Sequence, residues 1–312
     1  MPTSTNLVRN LRDANADMAN IFNVQSTHSP FEGLVHKKRS KQGYARFFAL
    51  TQRAAYRPHK GEIKPVSLSA QEYEIETILY TLGYTISRKT LENAKAIGGD
   101  SEIMEVIRDS AKDAVQARDV RLTELLEDNG SDILGSSFFG TDVDIFGTDK
   151  RGTITNSLSE SNFDKADLQG LYYAFIELVM TQKNSAGRLM FGTGDPHVKP
   201  KVMFHPSRFE AFEKAFKLST APDSAAQNLV RDKVIFAPNG HMTDDTKSYW
   251  FWEPGRFPYA LCLAEDGPPR LESDENTNSR ASMVAQDNFY ASDYSFEAGY
   301  GNRMVCVQND HS

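Results

Sequence analysis

Few residues in this chain have the types and spacing that chemistry needs. Gly192-Thr193-Gly194-Asp195-Pro196-His197 sets two glycines in a loop, as a phosphate cradle would. Pro196, however, removes a backbone donor where a helix N-terminus would have to begin. Asp142-Val143-Asp144-Ile145-Phe146-Gly147 opens like a calcium loop, but Phe146 fills a ligand slot and Thr153 stands where the twelfth position needs glutamate. The seven histidines, at positions 28, 36, 59, 197, 205, 241 and 311, share no ligand spacing. His205, before Pro206, reads as a helix-start or buried structural residue. Cys262 and Cys306 form no CxxC pair, and Cys262 sits in an apolar run as a small core hydrophobe. Glu72, Glu74 and Glu76 alternate with Tyr73, Ile75 and Thr77, which makes them one wet or interface face of a strand. Trp250 and Trp252, two residues apart, share a strand face and read as core packing. The sequence has no GxxxxGK[ST] loop, no HExxH pair and no GxSxG elbow. The expectation is a non-enzyme with no catalytic, cofactor-binding or metal-binding residues.

Charge placement is the stronger signal. Between Gly33 and Gly61 lie Lys37, Lys38, Arg39, Lys41, Arg46, Arg53, Arg57 and Lys60, with no Asp or Glu. The net charge is -7, so with these eight cations set aside the rest of the chain carries about -15. Such a segment fits an electrostatic footprint for nucleic acid. It also fits an arm that pairs with the acidic surface of a neighbouring copy, or simply a solvated loop.

The elements that must carry these residues read as mixed α+β. At 312 residues with 39% apolar content, the chain is long enough for a large core, as two domains or one with extensions. No apolar run approaches the roughly 20 residues of a membrane span, the first residues lack a signal core, and two cysteines suit a reducing compartment. Residues 1–30 form an arm in which Leu7, Leu11, Met18 and Phe22 make a thin apolar stripe that needs another surface. Residues 31–64 read as a hairpin-like excursion: FEGLVH, a basic turn KKRSKQG, then YARFFALTQ. Gln71 to Ile86 reads as one strand, followed by a short helix RKTLENAKA capped by Ser87. From Ser101 to Glu127 a 3.6-residue rhythm predicts a helix roughly 40 Å long. A compact globule of this size has a radius of gyration of only about 20 Å, so the body should be elongated. Asn129 to Asn162 reads as loops with short strands, and a second strong helix ends at Thr181. KVMFH, DKVIFA, SYWFWE, FPYALCL, ASDYSFEAGY and NRMVCVQ are strand-like, with Pro206 opening a short helix after the first.

In this order the parts resemble the major capsid proteins of tailed bacteriophages, the Hong Kong 97-type fold. They are most similar to the major head subunits of Mu-like phages. The resemblance is carried by Tyr84-Thr85-Ile86-Ser87 to Glu92 leading into the long helix, by Lys201 to Phe216, and by Tyr290 to Tyr300 with Gly301. It spans Phe31 to Val307. It implies an N-terminal arm at 1–30, an extended E-loop hairpin at 31–66, and a peripheral domain at 67–134 with a spine helix at 101–127. A mainly axial domain at 135–262 and C-terminal strands at 263–312 returning to the peripheral domain complete the division. The implied function is self-assembly into hexamers and pentamers of an icosahedral shell around double-stranded DNA, in the virion, after assembly in the host bacterial cytoplasm. An encapsulin-like nanocompartment of the same fold is the alternative, and a nucleic-acid-binding enzyme using the Gly33–Gly61 patch is a third reading. Implied partners are the chain itself, portal, scaffolding and cement proteins, and packaged DNA by non-specific contact, with no membrane. The eight cations would be inter-subunit residues of the E-loop. With only about 30 residues before the excursion, no cleaved scaffolding extension is expected.

Overall fold

The computed structural model describes residues 4–50, 70–87, 101–128, 146–147, 156–159, 163–181, 199–218, 228–252, 254–255, 259–273, 287–301 and 305–311. The expected short helix RKTLENAKA, the glycine loop at 192–197 and most of 129–162 lie outside these residues.

Two long helices pack together. α1 (Ser4–Ser26) packs along α2 (Ser101–Glu127). α2 has the predicted bounds, and Ile107, Ala111, Ala114, Val115, Leu122, Leu125 and Leu126 form its buried stripe. Met18 and Phe22 of α1 are buried in the same core. The arm's stripe does need another surface, as expected, but for this part of it that surface is not a neighbouring subunit. α2 of the same chain supplies that surface, because a thin apolar stripe is covered as well by an adjacent helix as by a second subunit.

The strands are β1 (Val35–Arg39), β2 (Tyr44–Leu50), β3 (Ala70–Glu76), β4 (Ile78–Ser87), β5 (Ser157–Leu158), β6 (Lys201–Phe204), β7 (Ile235–Pro238), β8 (Lys247–Phe251), β9 (Leu261–Glu265), β10 (Arg270–Ser273), β11 (Asp287–Tyr300) and β12 (Cys306–Asp310). Two further helices, α3 (Lys165–Thr181) and α4 (Phe209–Phe216), precede and follow β6. The first sheet is built on β11, with β4 along one edge and β9 and β10 end to end along the other. Phe296 pairs with both Ile78 and Glu265, and Tyr290 pairs with both Tyr84 and Ser273. β1 adds in parallel to β9. The second sheet runs β5-β12-β8-β6-β7. A separate hairpin pairs β2 with β3, from Tyr44↔Glu76 to Leu50↔Ala70.

Three boundaries differ from the sequence reading. Residues 35–39 are not an arm of the excursion: β1 pairs with β9, from Val35↔Leu261 to Arg39↔Glu265. β9 is buried at Leu261, Cys262, Leu263 and Ala264, so it needs a partner on its second edge and β1 supplies it. The hairpin begins only after Gln42 (φ 59°) and Gly43 (φ 86°), both left-handed, reverse the chain. The single strand expected over 71–86 breaks at Thr77, whose N–H donates to the Gly43 carbonyl at 2.8 Å. β3 then belongs to the hairpin and β4 to the first sheet. The closing strands also part: β11 lies in the first sheet, but β12 pairs with β8 in the second. The crossing point is Gly301, where a Cβ would lie 2.3 Å from the Tyr259 carbonyl oxygen, so only glycine passes.

The core is continuous through both sheets. Every residue of β6 is buried, Phe204 stacks on Phe212 of α4 at 4.1 Å, and Trp250 and Trp252 both face Phe175 of α3 at 5.7 and 6.0 Å.

Candidate assembly surface

Five of the eight predicted cations lie among the described residues, and the fold separates them. Lys37 lies 4.0 Å from the Glu32 carboxylate. Lys38 Nζ donates to the Arg46 carbonyl at 2.7 Å and sits 5.1 Å over the Phe47 ring. Arg39 Nε donates to the Asp266 carbonyl at 3.2 Å. These three seat β1 on the body and on the hairpin's base. Lys41 is exposed in the reversing turn. Arg46 belongs to the hairpin, where its Nε meets Glu74 at 2.7 Å across the register pair Arg46↔Glu74. Exposed pairs of this kind contribute about 0–1 kcal/mol each. Arg53, Arg57 and Lys60 lie outside the described residues.

Alternation sorts the hairpin's faces. Ala45, Phe47 and Ile75 turn inward and form a small cluster with Cys262 and Ala264 of β9. Arg46, Glu74 and Glu76 turn outward. Glu74 is thus an ion-pair partner, and the Glu-rich strand face is the wet one expected. His36, stacked 5.5 Å from Tyr259, is held below its ordinary pKa by burial and by nearby Lys38.

A buried polar joint ties the turn after α1 to both sheets. Arg118 and Asp119 of α2 are 2% and 4% exposed, with Arg118 Nε 3.5 Å from Asp119 Oδ1. Ser29 Oγ donates to Asp119 at 2.8 Å, and Arg118 Nη1 donates to Ser26 Oγ at 3.2 Å. Burial pushes the Asp119 carboxyl up against the opposing pull of Arg118 and Ser29. Lys201, at the start of β6, donates to the Glu32 carbonyl at 2.7 Å. Burial lowers its amine to about 8, which Glu32 and Asp119 only partly offset. A lysine whose folded pKa lies below its unfolded value near 10.4 binds more protons when unfolded. Stability therefore rises as pH climbs from about 8 to about 10.4, by up to ~3 kcal/mol, and is flat in this respect below pH 8. Lys201→Met should abolish that rise. Urea midpoints of both proteins at pH 7.5 and 10 check it, and parallel pH dependence would contradict it.

The remaining chemistry candidates take structural places. Phe146 is buried, 5.5 Å from the Tyr249 ring. His205 Nδ1 accepts from the Ser207 N–H at 3.3 Å, at the start of the turn leading into α4. Cys262 and Cys306 are buried without a disulfide, and burial pushes the Cys306 thiol well up. Among the described residues no cluster of three His, Cys, Asp or Glu side chains is placed to hold a metal, and no helix is long and apolar enough to cross a membrane.

No family model and no curated protein matches the chain. Solved structures do. The capsid of a native GTA particle is 8% identical, covering 91% of this chain and 90% of its own, with a TM-score of 0.58. The capsid of cyanophage P-SCSP1u is 10% identical over 89% of this chain and 86% of its own, TM-score 0.53. The mature capsid of bacteriophage PhiM1 is 11% identical over 90% and 86%, TM-score 0.53. The chain has the Hong Kong 97-type capsid fold. At such identities the capsid fold is shared as architecture, through the course of the chain and not through its residues.

Within this capsid fold, three features escaped sequence reading. Asn15 of α1 brackets Leu271 of β10: its Oδ1 accepts from the Leu271 N–H at 2.6 Å and its Nδ2 donates to the Leu271 carbonyl at 3.1 Å. An Asn inside an amphipathic helix was its only trace. The Arg118–Asp119–Lys201 joint left none, because charged residues of an amphipathic helix such as Arg118 and Asp119 read as surface. The third is the outer edge of β4, where Ile78, Leu79, Tyr80 and Leu82 are exposed. In the sequence these residues read only as part of the single strand over 71–86.

Proposed function

We propose that this chain is the shell-forming subunit of a phage capsid, assembling into hexamers and pentamers of an icosahedral container for double-stranded DNA. The observation that carries the reading is the capsid fold itself, shared over about nine-tenths of the chain with a cyanophage and a bacteriophage capsid. In this reading α2 is the spine of the peripheral domain, the second sheet belongs to the axial domain, and the β2–β3 hairpin is the E-loop. The chain works through interfaces and performs no reaction. Its basic excursion, with Arg46 exposed on the hairpin and Arg53, Arg57 and Lys60 beyond it in sequence, meets the acidic body of a neighbouring subunit. The wall's net charge of -7 suits a container for a polyanion, since a strongly basic wall would hold DNA and hinder its movement. Portal, scaffolding and cement proteins are the further partners, and the virion is the place. The narrower kinship with Mu-like head subunits rests on the sequence phrases quoted above.

The purified chain is expected to form closed particles or ring capsomers, visible by electron microscopy and light scattering. A monomer of about 35 kDa at every salt and protein concentration would sink this reading.

A further inference from the structure

The edges of the first sheet are treated unequally. β1 carries Lys37, Lys38 and Arg39 in five residues, a charged edge that resists pairing. β10 has its Leu271 N–H and carbonyl taken by Asn15. Among the described residues β4 has neither device: ILYTLGYTIS holds no charge and no proline over ten residues. Among the described residues its partner is β11 on one side only. Ile78, Leu79, Tyr80 and Leu82 are 50%, 61%, 36% and 38% exposed. An edge this long, apolar and unguarded is a template for another strand.

We propose that the outer edge of β4 pairs antiparallel with β4 of a second copy of this chain, across a two-fold axis. The occupant follows from the available edges. A matching strand must be about as long and carry no charge against Ile78–Leu82. β1 brings three cations, β2 and β3 bring the facing pair Arg46 and Glu74, β7 is four residues ending in Pro238, and β5 is two residues. Among the described strands β4 alone matches itself. An isologous contact also needs only one edge, repeated. The pairing would satisfy two rows of backbone groups along up to about 34 Å and set each copy's apolar strip against the other's.

The contact goes beyond shell formation and is tested without it. Single cysteines are placed in turn at each residue from Ile78 to Tyr84 in the full chain, with both native cysteines buried and silent. In antiparallel pairing, residues at the two-fold axis oppose themselves with Cα atoms about 4.5–5.5 Å apart, within disulfide reach. Mild oxidation should give a covalent homodimer peaking at one or two adjacent positions and falling away on both sides. Adding Leu82→Lys should slow that crosslinking at least tenfold. No homodimer at any position overturns the proposal, as does a rate untouched by Leu82→Lys. So does crosslinking that requires a mixture with Arg46→Cys, because the hairpin would then be the occupant. Crosslinked dimers without shells would uphold this pairing and count against the shell reading, and shells without the crosslink would do the reverse.

Discussion

Trp250→Ala is expected to cost about 3–5 kcal/mol, among the largest losses any single substitution here can produce. Trp250 is fully buried between Phe175 of α3 and Phe216 of α4, and its Nε1–H donates to Ser248 Oγ at 3.1 Å. Its removal leaves a void that the flanking β6 and β12 cannot collapse into, since both are held in register with β8. It also takes one of two hydrogen bonds from the buried Ser248 hydroxyl, which keeps His311 Nε2 at 2.9 Å. A domain is stable by only about 5–15 kcal/mol, so this is a large fraction of the whole. Trp250→Phe keeps most of the ring and should lose less, about 1–2 kcal/mol, mostly through the lost donor. The shift in urea midpoint checks both, and equal losses would overturn the ranking by showing that the indole N–H and the extra ring volume account for the whole effect.

Charge reversal of the excursion should split into two results, which the sequence alone expected as one. Lys37, Lys38 and Arg39 touch their own chain. Their triple change to Glu should lower subunit stability by about 1–3 kcal/mol, because exposed contacts of about 0–1 kcal/mol each are lost and the reversed charges then repel the same partners. Changing Arg53, Arg57 and Lys60 to Glu tests the proposed inter-subunit role, with the subunit melting temperature as the check that the variant still folds. Like charges would then face each other at each inter-subunit contact, at a cost of several kcal/mol per interface. A shell repeats that cost at every contact, so particle yield should fall to background in cells lacking DNA-packaging machinery. Normal empty particles at normal yield from this second variant would refute the inter-subunit role. Normal stability in the first would refute the seating of β1 described here.

Local pattern was enough to place the pieces. Helical periodicity placed α2 at its observed bounds and α3 to within a few residues, and apolar runs marked β6, β8, β9 and β11. Trp250 and Trp252 were legible as core because strand alternation is a property of neighbouring residues. The order of parts sufficed for the capsid fold. Choices between partners far apart in the chain were left to packing. β1 looked like half of a hairpin, yet β9, more than 200 residues later, offers it an otherwise unfilled edge. Thr77 breaks one expected strand into two because Gly43, across the hairpin's base, takes its N–H. β12 joins the second sheet because Gly301 lets the chain pass against Tyr259. Arg118 and Asp119 read as part of the charged face of α2 until packing buried them beside Lys201. Periodicity reports which face of an element is apolar. It does not report what will cover that face, because the energy of pairing and burial belongs to residues that local sequence does not connect.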